Sequence, residues 1–441
     1  MARNEHAGAY LRNIEEKTAS VIEAGAPLRL EDCIRVALQH NLDVTTVEIG
    51  ARIATLERRT AFANFLPTLD IHLSYAAWDR QPMSQMLGPF AVPMHDQTLR
   101  DITWQVQMPV FVPATWFLYA MRERGEEIAS LVAEYTRQMV VLQVTVQYFH
   151  CLSLDEAERT MASGVEAATA LHKELAAFCA EGMVSEWQAD QAEALLLARS
   201  AMLHQTQRAR TEAKAELLGM MGLSPLGDVS LVPGTVLQAP SGSLEDLILQ
   251  ALLANPQLHI ADREVAIQHE AVKLAIADFL PQLLGFAGRT NTSNSFTKYR
   301  NYWTTGLTGI LSVFDGFANI HQYQAARERE QAAYLRREEV CLAVMLEVIR
   351  AHLNLQNARE QLDVAKKVFD AAADRLAEVE AQWREGLVNP STRLEVQAER
   401  DKEQMEVMNA RFQEQVGTAS LLNVLGAGYA GYETLDYEAK F

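Results

Sequence analysis

The spacing of apolar residues changes along the chain in a fixed order, from helical to alternating and back to helical. Residues 30–65 have the spacing of a helix of about 35 residues, which must end before Pro67 because proline cannot continue it. From Leu69 onward, apolar and polar residues alternate, as in a strand with one face of each kind. A second alternating segment follows a proline-rich loop. The apolar positions of these two predicted strands are Leu69, Ile71, Leu73 and Tyr75, then Ile102, Trp104, Val106, Met108 and Val110.

Two later segments without internal proline are longer than a globular core requires. Residues 114–180 and 318–385 each predict a helix of about 65 residues and about 100 Å. A sharp turn at Gly182 or Gly386 follows each long helix. The returning helices, each of about 35 residues, cover 185–221 and 391–425. One initial helix and one returning helix, placed end to end, therefore nearly equal one long helix.

The same order of elements occurs twice along the chain. Residues of the first helix, and the proline that follows it, recur 214 positions later, so the displacement between the two halves is constant over this part of the chain. Beyond the strands the displacement falls to 203 and 204, so about eleven residues are missing from the second strand-connecting loop. The matching pairs are Leu30 and Leu244, Asn41 and Asn255, Pro67 and Pro281, Val110 and Val313, and Gly182 and Gly386.

The duplication predicts a division of the chain into five segments. These are an N-terminal extension (1–27), a first repeat (28–222), a linker rich in proline and glycine (223–243), a second repeat (244–426) and a C-terminal tail (427–441). The first 27 residues are charged and contain no apolar core. We therefore expect either that the numbering begins after a secretory signal or that the protein is not exported by that route.

Apolar residues of the second long helix form a heptad seam, which indicates a coiled coil. The seam steps by four and three through Ala358, Leu362, Ala365, Phe369, Ala372, Leu376, Val379 and Trp383. Its counterpart in the first long helix is looser. A purely structural coiled coil would explain the long helices, but it leaves the two strand pairs unexplained.

The strand pairs bear on the oligomeric state. No run of about 18 apolar residues occurs, so a membrane crossing has to use strands. Four amphipathic strands cannot close a barrel, and two chains would give eight strands with a filled interior. Three chains leave room for a lumen. The predicted fold is therefore mainly α with a small β part, a long α-helical coiled-coil barrel joined to a transmembrane β-barrel that three chains share. The strand residues predicted to face lipid are Leu69, Ile71, Leu73, Tyr75, Trp104, Val106 and Met108.

Composition argues against several other classes of protein. The net charge of −18 disfavours a nucleic-acid partner, which needs clustered basic residues. The four cysteines lack metal-binding spacing, and we interpret them as small buried hydrophobic residues. Met83, Met86 and Met94 predict a compact apolar loop rather than a copper site. Since no phosphate-binding or nucleophile motif is present either, we expect no catalytic, cofactor or metal site.

The doubled order of helix, Phe-Leu-Pro, strand pair, long helix, Glu-Gly turn and helix resembles the TolC family of outer-membrane efflux proteins. The resemblance covers roughly residues 28–426 and rests on the segments 30–41, 64–69, 313–316, 385–388 and 394–398. It implies a homotrimer in the outer membrane of a Gram-negative bacterium, with a twelve-stranded barrel in the lipid and a helical tunnel through the periplasm. It also implies a periplasmic adaptor (membrane fusion protein) and an inner-membrane pump as partners.

The resemblance further implies two kinds of site on the helical hairpins. The turns at Gly182 and Gly386 would be periplasmic tips that dock the adaptor. Many family members carry aspartates at the positions of Thr392 and Glu395, which ring the periplasmic gate, so Glu395 side chains from three chains would repel one another and attract cations. The alternative is that Glu395 lies on an ordinary solvated helix face beside Arg393 and Glu399.

Two other functions are compatible with long helices, a coiled-coil scaffold and a periplasmic adaptor protein. The absence of a recognisable signal favours the scaffold. An adaptor should have one hairpin flanked by lipoyl-like and β-barrel sequence, whereas this chain has two hairpins and four strands. The sequence therefore favours a passive export duct.

Overall fold

The computed structural model describes residues 2–22, 27–85, 91–233 and 236–426, and helices dominate that part of the chain. Helix α1 is Ala2–Val21. The first repeat contains β1 (Pro27–Leu28), α2 (Leu30–His40), α3 (Leu42–Ala63), β2 (Thr68–Ala77), β3 (Met83–Gln85), β4 (Ala91–Pro93), β5 (Thr98–Phe111), α4 (Pro113–Ala180) and α5 (Glu186–Met220). After it come β6 (Ser230–Leu231), α6 (Leu244–Ala254), α7 (Pro256–Ala277), β7 (Gln282–Thr292), β8 (Asn301–Ile310), α8 (Ala318–Arg384) and α9 (Pro390–Val424).

The two long helices and the two returning helices are present as predicted. Helix α4 has 68 residues and α8 has 67, while α5 and α9 have 35 each. The predicted seam of α8 is buried at five of its eight positions and partly buried at the other three. No helix of the described residues is both long enough and apolar enough to span a bilayer.

The prediction of one continuous initial helix in each repeat is wrong. The helix breaks at Asn41, whose side-chain oxygen accepts hydrogen bonds from the backbone N–H groups of Asp43 (2.8 Å) and Val44 (3.1 Å). Its amide nitrogen donates to the carbonyl of Met220 at 2.8 Å, so the break is held against the end of α5. Asn255 makes the equivalent break before α7. An asparagine that caps the next helix explains why this residue type recurs in both repeats.

Contacts between residues divide the chain into two compact units. The first contains the described residues of 1–48, 132–258 and 340–441. Its largest core joins α2, α4, α5 and the linker, and the Tyr148 hydroxyl at its centre donates to the carbonyl of Val232 at 2.6 Å. In the same core lie two of the four cysteines, Cys33 and Cys151, and burial raises the pKa of each thiol to about 12. Cys179 and Cys341 are only half-buried.

The ends of both returning helices are fixed by glycines with positive φ. Gly222 (φ 68°) follows α5, and a Cβ placed on it would lie 2.1 Å from the carbonyl oxygen of His40 at the end of α2. Gly426 (φ 70°) follows α9 and meets Ala254 at the end of α6, with the carbonyl oxygen 3.2 Å from the same position. The two repeats therefore use one packing arrangement, and its fit is closer in the first.

The second unit contains residues 49–131 and 259–339, and its centre is an antiparallel sheet in the order β2-β5-β7-β8. In the second repeat, Trp303, Leu307, Leu311 and Val313 alternate with polar residues and predict a strand that extends to Val313, but β8 ends at Ile310. Ile310 is paired with Gln282, the first residue of β7 after Pro281, so β7 offers no partner to the residues beyond Ile310. The chain then turns at Gly316 and Phe317, which have φ of 71° and 69°.

Candidate functional site

One face of the sheet carries the apolar stripe that the sequence predicts. In the β2–β5 register Leu69 lies opposite Val106 and Ile71 opposite Trp104, and directly paired residues point to the same side. All seven residues predicted to face lipid lie on this face and are exposed in the single chain. Their exposed fractions are Leu69 62%, Ile71 49%, Leu73 74%, Tyr75 66%, Trp104 49%, Val106 38% and Met108 53%.

The register extends the apolar face over β7 and β8. Trp104 is paired with Arg289, which is paired with Trp303 of β8, and Leu307 lies on the same face. Arg289 is a cation on this mainly apolar face, as is Arg100, which is paired with Tyr75. The Arg289 guanidinium lies 5.8 Å from the centre of the Trp303 ring, and its Nε donates to Asn301 Oδ1 at 2.8 Å. The positive charge of Arg289 is therefore held beside Asn301, the first residue of β8.

The opposite face of the sheet is polar in the first repeat and contains small residues in the second. The hydroxyls of Thr103 and Thr290 lie 3.2 Å apart across the β5–β7 pair. A Cβ on Gly306 would lie 2.8 Å from the ring of Phe286, so that ring covers the backbone of β8. All four glycines of the sheet lie in β7 and β8, at positions 285, 288, 306 and 309.

Both outer edges of this four-stranded sheet lack a partner within the described residues. The order β2-β5-β7-β8 leaves one side of β2 and one side of β8 without a neighbouring strand. Each edge belongs to a strand of 10 residues. Long exposed edges of this kind bind further strands readily, because their N–H and C=O groups are unpaired.

The loops that connect the strand pairs are tied together, a contact that the sequence pattern does not predict. Asp96 accepts hydrogen bonds from the backbone N–H of Ser295 (2.5 Å) and from its hydroxyl (2.7 Å). These bonds lower the pKa of the Asp96 carboxyl.

The first of the two loops contains the methionines for which the sequence predicts a compact apolar loop. Met83 and Met94 are about half exposed, and Met86 lies outside the described residues. No metal-binding cluster of His, Cys, Asp and Glu occurs in the described part of the chain.

The two hairpin turns have the same backbone geometry. Gly182 and Gly386 both have φ of 73°. The Gly182 N–H donates to the carbonyl of Cys179 at 3.0 Å, and the Met183 N–H donates to that of Phe178 at 2.8 Å. The turn at Gly386 repeats both bonds, as in a Schellman motif. A Cβ on either glycine would meet nothing within 4 Å.

Apolar side chains are exposed beside both turns. Met183 and Leu387 occupy equivalent positions directly after the glycines and are 59% and 71% exposed. Trp187, on the first turn of α5, is 63% exposed. In a Schellman motif the residue at the position of Met183 usually packs against the helix. Here both copies present it to solvent, which makes each turn an apolar projection.

The structure assigns different local roles to the two predicted gate residues. Thr392 is half-buried in the cap of α9, where its N–H and its hydroxyl contact Asn389 Oδ1 at 2.8 and 2.9 Å. Glu395 is exposed and has no ion-pair partner among the described residues. Its neighbour Glu399 differs, because it binds Arg375 of α8 at 2.7 Å.

Helix α9 also contacts the first hairpin, and sequence reasoning missed both contacts. Leu394 packs on the small core of Leu171, Leu175 and Ala192 near the first turn. Further along α9, Asp401 is only 4% exposed and its carboxylate binds Arg199 of α5 at 3.6 Å and Arg400 at 2.9 Å.

The buried position of Asp401 affects its protonation. Burial raises the pKa of Asp401, and the charges of Arg400 and Arg199 counter that shift only in part. A buried aspartate that joins two hairpins has no signature in sequence periodicity, because Arg199 lies about two hundred residues away.

Comparisons with known proteins follow this geometry. Residues 247–427 match the family described as Outer membrane efflux protein. No curated protein matches the chain. Among solved structures, the outer membrane protein VceC of Vibrio cholerae is 17% identical, with a TM-score of 0.76 over 90% of this chain and 96% of that one. The CmeC outer membrane channel of Campylobacter jejuni is 15% identical, with a TM-score of 0.79 over 90% and 86%. The MtrE outer membrane channel of Neisseria gonorrhoeae, in its open state, is 17% identical, with a TM-score of 0.75 over 91% and 89%.

Proposed function

We propose that the chain is a TolC-like outer-membrane efflux protein, on the family match of its second repeat and on its fold, and that three copies assemble into a passive export duct. The family match over residues 247–427 supports the predicted efflux function and the outer-membrane location in a Gram-negative bacterium. The two other functions considered from the sequence, a scaffold and a periplasmic adaptor, receive no support from these comparisons.

The observation that carries the trimer proposal is the sheet with two free edges and one apolar face. An open sheet edge cannot remain in lipid, because the hydrocarbon offers no partner for backbone N–H and C=O groups. In our proposal β8 of one copy pairs with β2 of the next, and three copies close a ring of twelve strands. The apolar face then contacts lipid, and the face that carries Thr103 and Thr290 lines a lumen. Arg289, held at a strand end beside Trp303, would lie at the level of the lipid headgroups.

Cross-linking between the free edges tests this assembly. His72 of β2 and Thr304 of β8 lie near the middle of the edge strands, on the polar face. With Cys179 and Cys341 replaced by serine, a variant carrying His72→Cys and Thr304→Cys should give two- and three-chain products with a short bismaleimide, and nothing larger. Native mass measurement in detergent should return three chains.

The matched control moves both cysteines from the edges to the centre of the sheet. Thr103 of β5 and Thr290 of β7 are paired on the same polar face of one chain, with their hydroxyls 3.2 Å apart. Thr103→Cys with Thr290→Cys should therefore cross-link within one chain and remain a single-chain band. Equal amounts of multi-chain product from the control, or a stable monomer without detergent, would contradict the shared barrel.

We further propose that the apolar turns are where a periplasmic adaptor docks and thereby links the duct to an inner-membrane pump. The exposed side chains of Met183 and Trp187 at the first turn and of Leu387 at the second support this, since apolar groups exposed together mark interaction sites. Trp187→Ala and Leu387→Ala should weaken cross-linking to the adaptor and reduce export. Leu197→Ala, on an equally exposed residue of α5 ten positions beyond Trp187, should change neither. Equal losses at all three sites would refute docking at the turns.

In the same proposal, Thr392 and Glu395 lie at the periplasmic gate. The exposed, unpaired carboxylate of Glu395 supports a place for it in a ring of three charges. Thr392 contacts the capping residue Asn389 and stabilises the start of α9. In this proposal the charge at the gate therefore comes from Glu395.

A further inference from the structure

A cavity within the first of the two compact units combines an apolar floor with a basic rim. It has a volume of about 530 Å³ and lies between α4, α8, α9 and the linker. Its apolar lining comprises Phe149, Leu152, Leu231, Leu362, Met408 and Phe412. A space of this size accommodates a small organic molecule.

Contacts at two ends of the cavity hold its shape. The ring of Phe412 lies 5.6 Å from that of His150, so the aromatic part of the floor is packed from behind. On the linker side, the N–H of Leu237 donates to the side-chain oxygen of Gln415 at 3.0 Å, which fixes the linker against α9. Three of the four segments that build the floor, α4, α9 and the linker, are therefore held together by packing and a hydrogen bond.

The rim carries three basic side chains that have no acidic partner. Arg159, Lys366 and Arg411 line the cavity, are exposed, and form no ion pair within the described residues. Three unpaired cations at one opening contrast with a chain whose net charge is −18. Arg159 projects from α4, Lys366 from α8 and Arg411 from α9, so the three charges converge on the cavity rather than form a run along one helix.

The acidic residues of the lining do not cancel this charge. Asp155 binds Arg210 and also Lys214 (3.7 Å), and neither base lines the cavity. Glu414 is similarly directed to Arg359 at 3.8 Å. Of the three acids, only Glu156 forms no ion pair with another described residue. Three bases without an acidic partner in this part of the chain therefore face one such acid, and the opening has an excess of positive charge.

We propose that this cavity binds a small anionic amphiphile, a molecule with a carboxylate or sulfonate on an aromatic or alkyl body. The apolar body would lie on the floor formed by Phe149, Met408 and Phe412, and the anionic group would be bound by the basic rim. Charge-assisted hydrogen bonds to arginine and lysine are stronger than neutral ones and explain the preference for an anion. The site lies within one chain and does not depend on the duct proposal.

Calorimetry with a water-soluble probe tests the site. The full-length protein in lipid nanodiscs, with empty nanodiscs as the blank, is titrated with naphthalene-2-sulfonate. Saturable binding of one molecule per chain is expected. The cation 2-naphthylmethylammonium has the same ring system and should bind at least tenfold more weakly. Absence of saturable binding above the blank, or equal binding of the cation, would overturn the proposal.

Substitutions then locate the binding. Lys366→Glu and Arg411→Glu reverse exposed charges that need not affect folding, and each should weaken the sulfonate about tenfold. Lys367→Glu makes the same change on the adjacent exposed residue, which does not line the cavity, and should leave affinity within about twofold. Ser153→Trp places a large ring in the cavity wall and should abolish binding. If Lys367→Glu weakens binding as much as Lys366→Glu does, the sulfonate is bound by general surface charge and the assigned site is wrong.

Discussion

Four glycines with nearly equal backbone angles provide a graded test of how the two repeats are held together. Gly182, Gly222, Gly386 and Gly426 have φ between 68° and 73°. Replacement by alanine costs about 1–2 kcal/mol at each position, because an L-residue is strained in the left-handed region. Any difference between the variants must therefore come from what the new methyl group contacts.

The surroundings of the four positions predict the order of the effects. At Gly182 and Gly386 nothing lies within 4 Å, so the cost stays at about 1–2 kcal/mol. At Gly426 the nearest atom is 3.1 Å away, so its neighbours must yield by a few tenths of an ångström. At Gly222 the methyl would lie 2.1 Å from a backbone oxygen of His40, and the displacement of α2 adds about 1–3 kcal/mol.

The assay is the apparent melting temperature of the purified protein in detergent, measured by scanning fluorimetry at one fixed scan rate because such unfolding is often irreversible. We expect Gly182→Ala and Gly386→Ala to melt closest to wild type, Gly426→Ala lower and Gly222→Ala lowest. A Gly222→Ala protein that melts no lower than Gly182→Ala would refute the close packing of α5 on α2.

The larger residue valine at the turns separates folding from docking. Gly182→Val and Gly386→Val should leave assembly intact, because the added side chains extend into open space. Export should nevertheless fall, since the backbone of each turn and the directions of Met183 and Leu387 change. Loss of the trimer together with export would show instead that the turns are structural, and normal cross-linking with normal export would refute their assignment to docking.

Three further predictions concern single side chains. Glu395→Gln should change single-channel conductance or cation block in planar bilayers. Glu399→Gln only removes a surface ion pair with Arg375 and should have a much smaller effect on both. Equal effects of the two substitutions would mean that no ring of charge exists. Because burial raises the pKa of Asp401, this carboxyl takes up a proton in the folded protein before it does in the unfolded chain as the pH falls. Its contribution to the free energy of unfolding should therefore increase as the pH falls from the raised folded pKa to the ordinary value of 3.8. The difference in stability between wild type and Asp401→Asn should change in that pH window and be constant above it. Asn41→Ala should lower stability by about 1–2 kcal/mol through loss of the helix cap, as measured by the melting temperature, while Asn→Ala at an uncapped exposed site should not.

The sequence predicts the elements of this fold well where a pattern repeats over many residues. The long helices, the turns at Gly182 and Gly386 and the strands from Leu69 and Ile102 all depend on local periodicity, which is read directly from the chain. The break at Asn41 was missed because the apolar spacing continues across it, although the recurrence of asparagine in both repeats was visible.

Other features depend on partners that are distant in the sequence. The phase of β7 is ambiguous from its residues alone, since Leu283 and Leu284 are both apolar, and only pairing with β5 and β8 assigns its faces. The contact between Asp401 and Arg199 requires knowing which helices of the two repeats are neighbours. The predicted roles of Thr392 and Glu395 remain predictions, because a gate formed by several chains is not a property of one chain.

The glycines of the sheet have a consequence for how the two repeats can diverge. Strands β7 and β8 contain all four of them, and at Gly306 and Gly309 an added methyl would lie 2.8 and 3.0 Å from the side chains of Phe286 and Leu283. Strands β2 and β5 contain no glycine, and the stripe from Leu69 to Tyr75 is open to exchange of one apolar residue for another. Substitutions should accumulate in the first strand pair much faster than in the second. Within the sheet, the second strand pair would then keep more of the ancestral sequence of the two repeats than the first pair does.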